Sequence, residues 1–434
     1  MHDPEELVAH LRATFATGRT KQPAWRREQL TRLRALLTEN RDDIAAALHA
    51  DLGKPRADSD AHEVDFSVRE IDHTLDHLEE WLRPEPVALV GMPDGSTAST
   101  QYEPLGTVLI IGPWNYPVQL LLVPLAGALA AGNTAVLKPS EVTPATSELM
   151  ALLVPQYLDT DAVAVVEGGA PEATALLAQR YDHIFYTGNS TVGRIVMRAA
   201  AENLTPVTLE LGGKSPVFVD RGVDLTSVAA RLAGTKFANA GQTCIAPDYV
   251  LTDPETAPAL AAALGAVTEV MFGADPQASD AYGRIVNERH FDRVAGLLDS
   301  GKIAFGGQTD RDDRYIAPTV LTDVTPDDAV MQEEIFGPVL PIVEVAGLDE
   351  AIAFINDRDK PLALYGFTEN ETTRQRLAEE TSSGALGFGL PIAHVGVPEL
   401  PFGGVGESGL GSYHGSHSLA TFSHRKARLE VPLS

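Results

Sequence analysis

A single thiol is available for chemistry in 434 residues. It is Cys244, in the stretch GQTCIAP from Gly241 to Pro247. A lone cysteine is most often a small buried hydrophobe. Three features set this one apart. Its neighbours are turn-like and polar rather than apolar and periodic. It follows a predicted helix end at Gly241, where loops carry function. Other reactive groups fall at strand ends elsewhere in the chain. A thiol becomes a nucleophile through a lowered pKa or an adjacent base, and no histidine in the local window offers a Cys–His pair.

Two further groups suit a covalent site. Glu210 lies in VTLELGGKSP, on an apolar strand ahead of two glycines. A carboxylate buried there needs a partner or a role. It is either half of an ion pair, with Lys214 as the candidate partner, or a general base of raised pKa that activates water. Asn115 lies in IIGPWNYP, directly after the strand TVLII. Its amide is either a turn asparagine bonded to its own backbone or a donor to a developing oxyanion.

A second set suits a nucleotide. HIFYTGNSTVGRIV places Gly188, Asn189 and Gly193 between a strand and a helix, the setting in which a helix N-terminus holds a phosphate. The spacing of the two glycines departs from the dinucleotide fingerprint, and a plain strand-to-helix turn is the alternative. Lys138, in AVLKPSE, ends another strand, with Glu141 three residues on. The two suit ribose hydroxyls or form a solvated charge pair. Together the thiol, carboxylate, amide and turn point to covalent chemistry beside a dinucleotide.

The elements that must hold these groups read as α/β. Helical spacing runs over residues 5–50 and again over VDFSVREIDHTLDHLEEWL, ahead of Pro84. RPEPVALVGMPDGSTASTQYEPLG reads as a ribbon with a turn at PDGS. From Gly106, the strands TVLII, TAVLK, VAVVEG, HIFYTG and VTLELGG alternate with helices. That alternation predicts a parallel sheet covered on both faces, with ligands at the C-terminal strand ends. A second unit starts after Gly213 with SPVFVD and the helix LTSVAARLAGTKFANAG, and continues through PVLPIVEV, LALYGFT and ALGFG. The expected fold is two parallel-sheet α/β domains plus a small β oligomerisation arm. A Rossmann-like cofactor domain takes residues 1–84 and 105–211, a catalytic thiol domain 212–395, and the arm 85–104 and 396–434.

Composition narrows the partners. Asp and Glu number 60 against 33 Lys and Arg, a net charge of −27. That disfavours nucleic acid and anionic membranes. One cysteine forms no intrachain disulfide, so nothing indicates an oxidising compartment. MHDPEELVAHL lacks a basic segment followed by an apolar one, and VQLLLVPLAGALAA is short and interrupted by Pro124, so it reads as a buried helix. A cytoplasmic chain without membrane contact and without a metal site is expected.

In chain order, GPWNYP, LKPSE, LELGGKSP, GQTC, EEIFGPVLP and PFGGVGESGLGSYHG resemble the aldehyde dehydrogenase family, over nearly the whole chain from about Leu30 to Ala427. DLGKPRAD, INDRDKPLALYGF, EETSSG and TFSHRKA resemble its class 3 branch. The resemblance implies that Cys244 attacks the aldehyde carbon, that Asn115 and the Cys244 backbone N–H form the oxyanion hole, and that Glu210 activates water to hydrolyse a thioester. It implies that Lys138 and Glu141 contact the adenine-side ribose, and that Gly188 and Gly193 turn beside the pyrophosphate. Glu334 and Phe336, in EEIFGP, would place the nicotinamide ribose and ring. NAD is the cofactor implied, with NADP possible, and a homodimer is the implied assembly. Two departures stand out. Asn189 replaces the family's serine after Thr187-Gly188, and Gly389 and Leu390 replace an Asn-Asp pair, which predicts a more apolar and roomier substrate wall. Medium-chain or aromatic aldehydes are the expected substrates. A cofactor-independent thiol esterase and a catalytically silent relative are the competing readings.

Overall fold

The protein is described by a computed structural model covering residues 3–299 and 301–433. Met1, His2 and Ser434, at the ends of the expected cofactor domain and arm, lie outside the described residues, as does Ser300.

The strands read from Gly106 onward form one sheet. In space it runs Gly409–Leu410, Val207–Glu210, His183–Thr187, Thr107–Ile111, Thr134–Lys138, Val163–Val165. All neighbours except the first pair are parallel. The three central strands are buried almost throughout, which is why they read as continuous apolar runs rather than alternating ones. Helix Gln119–Ala131 is buried at every residue. Helix Ser190–Ala201 buries only Gly193, Val196 and Ala200. The first strand in sequence is central, so successive crossovers leave it in opposite directions. This puts a topological switch point, and a crevice, at the C-terminal ends of Thr107–Ile111 and His183–Thr187.

The second sheet runs Ile303–Phe305, Thr319–Leu321, Val339–Glu344, Tyr249–Thr252, Pro216–Val219, Ala363–Phe367, Ala385–Phe388. Only the first strand is antiparallel to its neighbour. The strands at Tyr249 and Thr319 were not apparent in the sequence. They are short, and the long helix Thr256–Phe272 between them dominates the pattern. The helix expected over residues 225–241 ends at Lys236.

A third, antiparallel sheet joins Glu85–Pro86, Thr97–Pro104 and Ser423–Glu430. It is smaller than the expected arm. Residues before Ser423 fold elsewhere, because Gly409–Leu410 pairs with Val207–Glu210 and helix Gly415–Thr421 packs on the core. Gly127 permits that packing: a Cβ there would lie 2.7 Å from the Ser418 Cβ.

Candidate active site

The thiol sits on a strained turn. After helix Leu225–Lys236 the chain places Asn239 and Ala240 in the left-handed region, each at φ 51°. That conformation costs a non-glycine residue about 1 kcal/mol or more unless its surroundings enforce it. Here hydrogen bonds enforce it. Asn239 Nδ2 donates to the Asn115 carbonyl at 3.0 Å and the Gln242 carbonyl at 3.2 Å. Gln242 Nε2 donates to the carbonyls of Asn239 and Arg284, both at 2.9 Å. Gly241 continues the turn at φ 74°, and a Cβ there would lie 2.2 Å from the Gly337 carbonyl oxygen. Gly241 therefore supplies both the backbone conformation and the close approach of the turn to the segment carrying Glu334 and Phe336.

Cys244 is half-buried at the end of this turn. Burial pushes its thiol pKa up, the Glu334 and Glu210 carboxylates push it further, and the backbone N–H groups of Cys244 and Ile245 oppose the rise. Burial and the two carboxylates thus favour the protonated form of the thiol. Tyr365 donates to the Ile245 carbonyl at 2.7 Å and pins the residue after it.

Asn115 is buried against the turn, its Nδ2 donating to the Gln242 carbonyl at 3.0 Å. Its side chain does not bond its own backbone, so the turn-asparagine alternative is set aside. The next residue, Tyr116, meets Thr243 Oγ1 at 2.8 Å through its hydroxyl. On the other side Trp114 packs edge-on against Phe336 at 5.2 Å between ring centroids.

Glu210 ends its strand at 2% exposure, and neither carboxyl oxygen has a hydrogen-bond partner among the described residues. Burial raises its pKa well above the ordinary carboxylate value. The ion pair considered with Lys214 does not form. Beyond Gly212 and Gly213 the chain enters the second sheet, and Lys214 there bonds Asp248 and the carbonyls of Val330 and Glu333, the latter two at 2.9 Å.

Toward the nucleotide end, Lys138 is buried at the tip of its strand and donates to the Pro139 carbonyl at 2.7 Å and Glu141 Oε2 at 3.2 Å. The charge pair therefore exists, with the Glu141 side chain 54% exposed. Gly188 admits no side chain, since a Cβ would lie 2.2 Å from the Tyr186 hydroxyl. Asn189 is the N-cap of helix Ser190–Ala201, its Oδ1 accepting from Val192 N at 3.0 Å. Glu334 has its pKa raised to about 8, by burial first and Asp248 second, against the Gly213 N–H, Lys214 and Arg293. Phe336 is held at φ 47°.

One cavity of about 890 Å³ unites these groups. Cys244, Glu210, Asn115, Lys138, Glu141, Gly188, Asn189, Glu334 and Phe336 all line it. Gly193 does not; it sits inside the helix, where a Cβ would lie 2.9 Å from Leu211 Cδ2. Its part is close packing of helix on strand. The cavity runs past the start of helix Ser190–Ala201, whose half-exposed Ile195 and Val192 give it an apolar border. Sequence reasoning missed Lys54, Glu63, Tyr116, Gln242 and Thr243, which shape the loop and turn. Only the aromatic density of PWNYP hinted at them.

Comparison with known proteins decides the family. The model of the aldehyde dehydrogenase family matches residues 2–427. The chain belongs to that family. It is 50% identical over 429 residues to the dimeric NADP-preferring aldehyde dehydrogenase of Rattus norvegicus, covering 99% of this chain and 95% of the relative. It is 51% identical over 424 residues to aldehyde dehydrogenase family 3 member A2 of Rattus norvegicus, covering 97% and 87%. Among solved structures, substrate-bound AldH of Staphylococcus aureus superposes with a TM-score of 0.97 at 44% identity, covering 100% of this chain and 95% of that one. An indole-3-acetaldehyde dehydrogenase with NAD+ gives 0.90 at 26% identity, covering 99% and 89%. The two-domain α/β architecture is that of the family. The chain is an aldehyde dehydrogenase, using a nicotinamide dinucleotide to oxidise an aldehyde.

Proposed function

We propose that the aldehyde is oxidised to a carboxylic acid through a covalent intermediate on Cys244. The observation that carries this reading is the meeting, in one cavity, of the only thiol and a carboxylate whose two buried oxygens have no hydrogen-bond partner among the described residues. The thiol proton passes to solvent water as Cys244 Sγ bonds to the aldehyde carbon, which leaves Glu210 free for the later step. The carbonyl oxygen takes the negative charge and is met by Asn115 Nδ2 and the Cys244 backbone N–H. The dinucleotide, when bound, supplies the hydride acceptor. Cys244 then carries a thioester. Glu210 takes a proton from water, the resulting hydroxide adds to the thioester carbon, and the C–S bond breaks to release the acid and the free thiol.

The residues present fit a dinucleotide. The cavity holds a glycine turn at a helix start, an apolar border at Val192 and Ile195, and Lys138 with Glu141 at its far end. We assign Lys138 and Glu141 to the adenine-side ribose and the turn at Gly188 and Asn189 to the pyrophosphate. Glu334 and Phe336 take the nicotinamide end. Asn189 acts there through the helix start it caps. Glu141 disfavours a 2′-phosphate, and its pairing with Lys138 moderates that effect, so NAD is favoured and NADP accepted.

Residues 1–84 and 105–211, closed by the segment before Ser423, form the cofactor unit in this reading, and 212–395 the thiol unit. The substrate wall follows the strand Ala385–Phe388. Phe388, Leu390, Val397 and Leu400 expose apolar side chains there, which suits medium-chain or aromatic aldehydes. The three-stranded sheet serves as a dimer arm, in keeping with a relative named dimeric. A free catalytic thiol suits a reducing cytoplasm. The test is NADH and NADPH formation with short, long and aromatic aldehydes, run beside Cys244→Ala. Activity that survives the substitution would refute the thiol mechanism.

A further inference from the structure

We propose that the buried Lys54–Glu63 ion pair is the positioning device of the oxyanion donor, holding the Asn115–Tyr116 loop in register with the Cys244 turn. The inference rests on the oxyanion reading of Asn115 given above. Lys54 and Glu63 have side-chain exposures of 1% and 0%, with Nζ 2.5 Å from Oε1. Charges removed this far from water persist only where their remaining valences are met. The groups that meet them are the loop itself.

Lys54 Nζ donates to the Asn115 carbonyl at 3.0 Å and lies 4.2 Å from the centroid of the Tyr116 ring. Glu63 Oε2 accepts from the backbone N–H of Val118 at 3.1 Å and of Gln119 at 2.9 Å, at the entry to helix Gln119–Ala131. One ion pair thus grips the loop at residues 115, 116, 118 and 119. Two of the gripped residues reach the thiol turn. Asn115 Nδ2 bonds the Gln242 carbonyl at 3.0 Å, and the Tyr116 hydroxyl meets Thr243 Oγ1 at 2.8 Å. Both contacts fall immediately before Cys244.

The backbone that presents Glu63 is itself unusual. Ser59–Asp65 is a π-helical turn between two α-helical segments, a geometry that recurs where a side chain must be re-aimed at a site. It is fastened from outside, with Arg41 reaching Asp60 at 3.1 Å and Asp65 at 2.6 Å. An apolar pair of equal volume would fill the same space, but it could not hold the Asn115 peptide plane, and that plane sets where the side-chain amide points. Neither Lys54 nor Glu63 lines the cavity. They act through Asn115.

The experiment is a double-mutant cycle on the full-length enzyme, with NAD and one aldehyde, measuring kcat, both KM values, NAD binding and the thermal midpoint. Lys54→Met is expected to lower kcat about 100-fold while NAD binding is unchanged, the scale of a catalytic group displaced by about an ångström. Asn115→Ala alone lowers kcat by about 10²–10³-fold. The combined variant should fall no further than Asn115→Ala, because the lysine works only through the asparagine. Losses that multiply would overturn the proposal while leaving the oxyanion reading intact. Full activity in Asn115→Ala would overturn the oxyanion reading, and this inference with it. Should Lys54→Met fail to fold, Glu63→Gln keeps an acceptor for the Val118 and Gln119 N–H groups and removes only the charge. It should show the same kcat loss, and a full kcat in that variant also overturns the proposal.

Discussion

Two buried glutamates occupy neighbouring regions and are treated in opposite ways. Glu63 has each carboxyl oxygen occupied, one by Lys54 and the other by two backbone N–H groups. Glu210, equally inaccessible, has both oxygens free of partners among the described residues. A buried polar group left unpaired costs about 1–3 kcal/mol, more for a charge. Chains retain such a group where something else supplies the missing bonds. In the proposed mechanism the satisfied carboxylate is scaffold and the unsatisfied one is where water is activated. The same division runs through the whole site: Gln242 and Tyr116 are engaged within the protein through their side chains, while Cys244 and Glu210 face the cavity.

The strongest way to break this contrast is to remove the reacting group itself. Cys244→Ala should lower aldehyde oxidation by at least about 10⁴-fold while NAD binding, read by fluorescence titration, is retained. Next comes Glu210→Gln. It should keep the first burst of NADH and slow steady turnover by about 10²–10⁴-fold; absence of a burst with normal NAD binding would contradict the deacylation role. The pH profile carries the same information. Glu210 works as a base only when ionised, and burial raises its pKa. Turnover should therefore climb with pH through a midpoint well above the ordinary carboxylate range, and that limb should vanish in Glu210→Gln.

How much of this was legible beforehand follows the same line. The groups facing the cavity announced themselves, because a lone cysteine and a carboxylate on an apolar strand both break the local pattern. The parallel sheet was legible too, since TVLII, TAVLK and HIFYTG are buried on both faces and read as unbroken apolar runs. The engaged groups were silent. Lys54 and Glu63 look like solvated charges until the fold brings both to the loop from Asn115 to Gln119. The antiparallel strand Gly409–Leu410 was hidden in a glycine-rich tail because its pairing with Val207–Glu210 is entirely long-range. The helix expected to run to Gly241 stops at Lys236, and the left-handed residues Asn239 and Ala240 follow it in a turn set by long-range hydrogen bonds.

Stability offers a smaller effect of defined sign. Glu210 has a folded pKa above its unfolded value. Its contribution is therefore complete below the ordinary carboxylate range and is lost as pH rises through the raised value. Glu210→Gln carries no such loss, so at alkaline pH it should melt about 1–3 °C above the parent, with the gap closing under mild acid. Glu63→Gln, which unmakes a satisfied pair, should melt lower at neutral pH. The reverse order in differential scanning calorimetry would undo the contrast. Smallest of all, Glu141→Gln removes one exposed charge at the proposed ribose end and should lower the KM for NADP about tenfold or less, with the KM for NAD nearly unchanged.

The most direct measurement is mass spectrometry of Glu210→Gln quenched after mixing with NAD and an aldehyde. A covalent mechanism predicts an acyl adduct on the peptide carrying Cys244, in amount equal to the NADH burst. A burst without any adduct on that peptide would contradict it.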